Sequence, residues 1–213
     1  MDKLDLAIQH LYHAFSDVEM PAAIDGCQCC ITAEEVDVLV SKDLRTLTAS
    51  DIAPYASSAL LTVGTKDDYL YFLPKILEIT VQDDAWWPDI EVTGKAIRRT
   101  NPSEWPKPRY EALAAFWVTS ISVLIGSKRY DSLDGWLCGG ALAGRDAKPM
   151  LAIIEQDERA ILEVFNANSG KLYESKLGNA FWELPNTGHD DIVTWLRTET
   201  IARIPRDIYG YLG

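Results

Sequence analysis

Long apolar runs and an excess of basic residues are both missing from this 213-residue chain. No stretch of about 18 uncharged apolar residues occurs, so the sequence predicts no membrane-spanning helix. Lysine and arginine total 20 against 32 aspartates and glutamates, which gives a formal net charge of −12. A surface of this sign repels nucleic-acid phosphates and the anionic face of a membrane. The composition therefore predicts neither a nucleic-acid partner nor a membrane partner.

Catalytic patterns are missing as well. Only three histidines are present, and the third, His189, stands before Asp190 and Asp191 in what reads as the acidic first turn of a helix. Neither a Gly-x-Ser-x-Gly elbow nor a phosphate-binding glycine loop occurs. We therefore predict no catalytic residue and no cofactor. An enzyme with a carboxylate-based site between helices stays open as an alternative, because the many acidic residues offer many possible pairs.

Cysteine is scarce and unevenly placed. Of four cysteines, three crowd into residues 27–30 and Cys138 stands alone. Small secreted proteins spread their cysteines along the chain as a disulfide framework, and this chain does not. The N-terminal residues also lack the basic region and apolar run of an export signal. Together these features predict a cytoplasmic protein.

The segment Gly26-Cys27-Gln28-Cys29-Cys30 is the strongest local motif. The two-residue separation of Cys27 and Cys30 lets both thiolates face one metal ion. His10 and His13 lie three residues apart on one face of the first predicted helix, so two thiolates and two imidazoles could form a tetrahedral zinc site. Their order and spacing fit no standard zinc finger, and we therefore expect reduced loop cysteines and no metal. A zinc-binding or redox-sensing regulator that uses the Cys27–Cys30 loop stays open as an alternative.

Apolar residues at three- and four-residue spacing predict helices along most of the chain. Thr32 and Glu35 have the spacing of a capping box at a helix start. The longest apolar stripe runs from Tyr110 to Ile125. Pro74 is expected to kink or break its helix, because proline removes a backbone donor and crowds the preceding turn.

The C-terminal half predicts shorter helices. Residues 166–178 are expected to form a loop or hairpin, and the last helix is expected over Thr200 to Tyr211, with Pro205 kinking or breaking it. The total is nine or ten helices in an all-α fold, packed as an antiparallel bundle or a short helical stack. We expect a single helical domain over residues 1–213, with a weak subdivision at the proline-rich connector 101–108.

Two adjacent tryptophans among four carboxylates mark residues 83–91. Interface anchors are enriched in tryptophan, and acidic residues around them accelerate association with a basic partner. The predicted partner-binding residues are Asp83, Asp84, Trp86, Trp87, Asp89 and Glu91. The alternative is that Trp86 and Trp87 pack in the core beside a solvated acidic loop.

The first hundred residues resemble a widespread, poorly characterised bacterial family. Its members carry a Cys-x-x-Cys or His-x-x-Cys element, a PLRELT segment and a DDFRYFLPRILEL helix. The matching residues here are Phe15, Gly26-Cys27-x-x-Cys30, Leu44-Arg45-x-Leu47, Asp51-Ile52-x-x-Tyr55, Ala59-Leu60, Gly64 and Asp68-Tyr69-x-x-Phe72-Leu73-Pro74-x-Ile76-Leu77-Glu78. The resemblance implies a helical fold and brings no established activity with it.

Acidity, helical composition and missing catalytic motifs together favour a binding function. Small acidic helical proteins of this type are often immunity partners of bacterial toxins, which is an analogy of protein type and not of residues. We therefore expect an acidic cytoplasmic protein-binding module, an immunity protein that neutralises a cognate toxin by contacting its basic surface.

Overall fold

The chain folds entirely into helices and loops. The computed structural model describes residues 2–210, apart from the side chain of Tyr209. Over these residues it has eleven α-helices, compared with the predicted nine or ten, and no strand beyond isolated β-bridges. The all-α prediction is confirmed, whereas the antiparallel bundle stays a prediction. The helices are α1 Lys3–Ala14, α2 Ala33–Ser41, α3 Ala49–Ser58, α4 Lys66–Gln82, α5 Ile90–Arg99, α6 Lys107–Gly126, α7 Leu133–Leu142, α8 Lys148–Ile154, α9 Glu158–Leu172, α10 Thr187–Leu196 and α11 Glu199–Tyr209.

The first four helices all begin with a reciprocal capping box. In each box the cap side chain accepts a hydrogen bond from the third helical residue, whose side chain accepts one from the cap backbone. The pairs are Asp2 with Asp5, Thr32 with Glu35, Thr48 with Asp51, and Thr65 with Asp68. The box predicted at Thr32 is thus confirmed.

The capping box of α3 yields a testable pH dependence. Hydrogen bonds from the Thr48 backbone (2.8 Å) and Lys42 Nζ (2.9 Å) lower the pKa of Asp51 to about 2. A lowered carboxyl pKa gives stability that is complete above the unfolded-state pKa, about 4, and is lost as the pH falls through the folded-state value. We expect Asp51→Asn to cost about 1 kcal/mol of unfolding free energy at neutral pH.

Denaturant unfolding at pH 7, 4 and 2.5 measures this effect. The difference between Asp51→Asn and the unsubstituted protein should shrink as the pH falls from 4 to 2.5. Asp37→Asn removes an exposed carboxylate from α2 and serves as the control. A difference that stays the same at all three pH values would contradict the assignment.

The two prolines expected to kink or break their helices lie within continuous helices, so a break is wrong at either position, while a kink stays a prediction. Pro74 is within α4 and Pro205 is within α11. Burial explains the first case, since Leu73, Ile76 and Leu77 around Pro74 are at most 1% exposed. Packing of this extent stabilises a helix by more than one lost backbone hydrogen bond destabilises it. The predicted end of the last helix at Tyr211 lies outside the described residues.

The prediction of a loop or hairpin at residues 166–178 is wrong over the first half of that range, because α9 continues to Leu172. Asn168 lies inside this helix with no solvent exposure. Its side chain bonds to Asp134, to the Val164 carbonyl and to the Gly178 backbone, which satisfies a residue that usually favours turns.

The chain divides into two compact units, Met1–Phe116 and Trp117–Gly213. The division falls inside α6 and not in the connector 101–108. The expectation of a single domain stays a prediction. In the first unit α1 packs on α4 and α2 on α3, while in the second α7 packs on both α9 and α10. Across the described part of the chain, none of the helices has the length and apolarity needed to cross a membrane.

Candidate functional site

The segment 83–91, here called the acidic tryptophan loop, joins α4 to α5 and includes the first turn of α5. Asp83 fixes its start: the carboxylate accepts a hydrogen bond from Ala85 N at 2.9 Å, and the carbonyl accepts one from Trp86 N at 3.2 Å. This side-chain-to-backbone turn is a local arrangement that aspartate favours. The loop therefore has a defined backbone that places its side chains.

The two tryptophans of this loop have different environments. Trp86 is half-buried, whereas Trp87 is 61% exposed. Pro88 and Ile90, which flank Asp89, are both buried. Their burial anchors the loop to the first compact unit. The interpretation that both tryptophans pack in the core is therefore wrong for Trp87, which presents most of its ring to solvent.

The four carboxylates of the loop also differ in accessibility. Asp84 and Asp89 are exposed, Asp83 is half-buried, and Glu91 is buried at 7% exposure. The exposed apolar ring of Trp87 thus has exposed acids before and after it in the chain, while Glu91 contributes little to the accessible surface. Whether these residues contact a partner stays a prediction.

A second candidate site is the cysteine segment 26–31, which is tied to the turn after α3. Gly64 N donates to Asp25 O at 2.7 Å, and Cys27 N donates to Thr62 O at 3.0 Å. Gly26 forms a β-bridge with Val63, and a Cβ added at Gly26 would meet the Val63 side chain at 3.0 Å. A larger residue at position 26 would require Val63 to shift, which favours glycine here.

A tight turn then brings three thiols together. The carbonyl of Cys27 accepts hydrogen bonds from Cys30 N at 2.8 Å and Ile31 N at 3.1 Å. The Cys27 and Cys29 sulfurs are 2.6 Å apart, those of Cys29 and Cys30 are 3.8 Å apart, and all three lie within 4.8 Å of one another. We call Cys27, Cys29 and Cys30 the thiol cluster. Cys27 and Cys29 are exposed and Cys30 is half-buried.

The thiols of the cluster have unequal acidity. Hydrogen bonds from the Cys29 thiol and from the backbones of Cys29 and Cys30 lower the pKa of Cys27. The same contact with Cys27, reinforced by Cys30, raises the pKa of Cys29 to about 11. A hydrogen bond to a sulfur favours its thiolate, while a thiol that donates holds its proton. Cys27 therefore loses its proton at a lower pH than Cys29 does.

The structure does not bring together the predicted ligand set of two thiols and two imidazoles. His10 and His13 are exposed on α1, and neither belongs to the group of converging donors that includes Cys27 and Cys30. Cys29, which the zinc-site pattern treats as an extra residue, is a full member of that group. Sequence spacing thus identified the segment in which thiols converge, whereas the two histidines are not part of that group.

A third cluster, Tyr12, Arg45, Lys75 and Glu78, was missed by the sequence patterns. The Glu78 carboxylate accepts a hydrogen bond from the Tyr12 hydroxyl at 2.5 Å and forms an ion pair with Lys75 at 3.2 Å. Lys75 also donates to the Arg45 carbonyl. The Arg45 guanidinium in turn lies 3.9 Å from the centroid of the Tyr12 ring. Burial and the bond to Glu78 raise the pKa of Tyr12. The charges satisfy one another, as in a structural polar network. Only the spacing of Lys75 and Glu78 could have suggested it.

His189 and the glycine-rich segment after Cys138 have structural surroundings. His189 lies in the first turn of α10, as predicted, and is 3% exposed. Its Nδ1 atom is 3.1 Å from an Asp190 carboxylate oxygen, and its ring packs against the Trp182 ring. Cys138 and Gly140 lie within buried α7, where Gly140 allows close approach of Trp117.

Comparison of the chain with protein-family models, with curated proteins and with solved structures gives no match. The resemblance of the first hundred residues to a bacterial family therefore stays a prediction. Function has to be inferred from the acidic tryptophan loop and the thiol cluster themselves.

Proposed function

We propose that this protein is an acidic protein-binding module, an immunity-type protein that neutralises a cognate bacterial toxin by direct contact through the acidic tryptophan loop. The observation that carries the proposal is the 61% exposure of Trp87 between the exposed residues Asp84 and Asp89. The toxin is expected to present a basic face, which the loop occludes.

The exposed ring of Trp87 supplies the binding energy. Tryptophan buries a large apolar area at an interface, and its covering is worth about 2–4 kcal/mol at roughly 25 cal/mol per Å². The Asp83 turn and half-buried Trp86 already hold the backbone in place. Little conformational freedom is then lost on binding, which leaves more of the burial energy available for affinity.

The charge of the protein selects the partner. Asp84 and Asp89 put negative charge around Trp87, and the whole chain carries −12. A field of this sign attracts a basic protein over distances of about 8–10 Å at physiological salt and raises its association rate. A toxin surface rich in lysine and arginine fits both the local and the overall charge.

Trp87→Ala should weaken binding at least about tenfold, which corresponds to roughly 1.4 kcal/mol. The partner is first captured with the tagged chain from a native lysate, at low and high salt, and identified by mass spectrometry. Affinity is then measured with the purified pair, and protection is measured by survival of cells that express the captured partner. Tyr173→Ala removes an aromatic ring that is 78% exposed in the other unit and should leave affinity unchanged.

Capture of no stoichiometric partner would contradict the proposal. A Trp87→Ala variant that binds the partner as tightly as the unsubstituted chain would also contradict it. If the partner binds but its expression does not harm cells, the protein-binding part of the proposal stands and the toxin-neutralising part is wrong.

Neutralising the exposed acids tests the electrostatic part separately. Asp84→Asn combined with Asp89→Asn should lower the association rate several-fold at low salt, because long-range attraction acts before contact. The effect should fade as salt is raised, since counterions screen exposed charges. Stopped-flow association at several ionic strengths measures it, with Asp37→Asn combined with Glu34→Gln on α2 as a charge-matched control. An equal loss in the control would assign the effect to net charge and not to the loop.

A further inference from the structure

We propose that Cys27, Cys29 and Cys30 bind one zinc ion through three thiolates, with the fourth coordination position left to solvent. The site is separate from the acidic tryptophan loop and does not depend on the proposed toxin-binding function. It also differs from the sequence-derived pattern, because Cys29 replaces both histidines as a ligand.

One sulfur separation in the thiol cluster already matches the geometry that zinc requires. Zinc–sulfur bonds of about 2.3 Å in a tetrahedron place the ligand sulfurs roughly 3.8 Å apart. Cys29 and Cys30 are separated by 3.8 Å, while Cys27 and Cys29 are 2.6 Å apart. Metal binding therefore requires the last pair to separate by about 1 Å. Both side chains are exposed, so small χ rotations suffice.

Hydrogen bonds hold the backbone of the site in place. The segment is anchored to the turn after α3 through the hydrogen bonds of Asp25 and Cys27 with Gly64 and Thr62. It then leads directly into α2, whose start is fixed by the Thr32 capping box. A site held in this way loses little chain entropy when the ion binds.

Backbone hydrogen bonds hold the turn that carries the ligand atoms. The Cys27 carbonyl accepts from Cys30 N at 2.8 Å and from Ile31 N at 3.1 Å. Contacts around the ligands of a metal site orient those ligands for coordination. The same turn brings the sulfurs of Cys27 and Cys30 within 4.8 Å of each other.

The donor set selects the ion and its coordination. Thiolates prefer soft or borderline ions such as zinc over magnesium or calcium. Within the described residues, the converging donors are these three sulfurs alone. Zinc sites with three protein ligands keep a water or another exogenous ligand in the fourth position. The exposure of Cys27 and Cys29 gives solvent access to that position.

Metal binding by the full reduced chain tests the proposal. After removal of metal with a chelator, zinc is titrated against a chromophoric competitor under reducing conditions. We expect one zinc per chain, and with Co²⁺ in its place we expect thiolate-to-metal charge-transfer absorption. X-ray absorption of the zinc form should count three sulfurs and one lighter atom.

Matched variants assign the ligands. Cys29→Ala should weaken zinc binding by about 100-fold or more, and Cys27→Ala and Cys30→Ala should do the same. Cys138→Ala removes the fourth thiol of the chain, and the double change His10→Ala, His13→Ala removes the competing imidazoles. Both controls should bind zinc as tightly as the unsubstituted protein, and far-ultraviolet circular dichroism should show that every variant is folded.

Several results would overturn the site. One is no stoichiometric zinc in the reduced protein, and another is tight binding that survives Cys29→Ala. Loss of binding in the double histidine variant would restore the two-thiol, two-imidazole set instead. Four sulfurs around the zinc, measured with a reductant that contains no thiol, would contradict the open position.

Discussion

Asn168→Ala is expected to lower the free energy of unfolding by about 2–4 kcal/mol. The Asn168 side chain has no solvent exposure. Its Nδ2 donates to Asp134 Oδ1 at 2.7 Å and to the Val164 carbonyl at 2.8 Å, and its Oδ1 accepts from Gly178 N at 2.7 Å. Alanine leaves these groups without that partner, and a lost partner costs more at a charged group such as the Asp134 carboxylate.

Denaturant unfolding measures the loss. Asn166→Ala, an exposed position on the same helix, should change stability by less than about 0.5 kcal/mol because water can replace its contacts. Asn168→Asp keeps the size of the side chain but places a carboxylate against Asp134, so it should not restore stability. A loss below 1 kcal/mol in Asn168→Ala would show that the network contributes little.

Alanine substitution at two helical glycines of the same unit should have opposite effects. Gly140→Ala is expected to destabilise the protein by about 1–3 kcal/mol. The added Cβ would lie 2.7 Å from Trp117 Nε1 and 3.0 Å from the Met150 methyl carbon. Met150 can adjust, but fully buried Trp117 is held by its hydrogen bond to the Trp136 carbonyl at 2.9 Å. The strain therefore falls on the rigid ring.

Gly170→Ala is the matched change on α9, where the added Cβ would meet nothing within 4 Å. It should stabilise the protein by about 0.5–1 kcal/mol, because alanine restricts the unfolded chain more than glycine does. Thermal and denaturant unfolding of both variants measures the pair. Stabilisation by both substitutions would show that helix propensity, and not packing against Trp117, decides the outcome at Gly140.

Helix starts were predictable where the signal is local. A capping box needs only residues three positions apart, and the one expected at Thr32 and Glu35 is present. The long apolar stripe from Tyr110 to Ile125 likewise lies within α6. In contrast, the continuation of α4 through Pro74 depends on burial by distant segments. A sequence window carries no information about that burial.

The candidate sites show the same division. Adjacent Trp86 and Trp87 are chemically identical in the sequence, and only the packed loop makes one half-buried and the other 61% exposed. For the cysteines, spacing identified residues 27–30, but the turn closed on the Cys27 carbonyl decided that Cys29 faces its neighbours. The direction of a side chain in a loop depends on backbone angles that spacing does not determine.

By itself, the sequence determined the all-helical class, the capped start of α2 and the net charge of −12. These follow from local hydrogen bonding, from apolar periodicity and from composition, which act within a few residues or need no structure. The tertiary structure alone decided that Asn168 lies in a helix, that Trp87 faces solvent and that three thiols converge. Each of these outcomes depends on contacts between segments distant in the chain or on one backbone turn, and burial and hydrogen bonding at those contacts outweigh local preference.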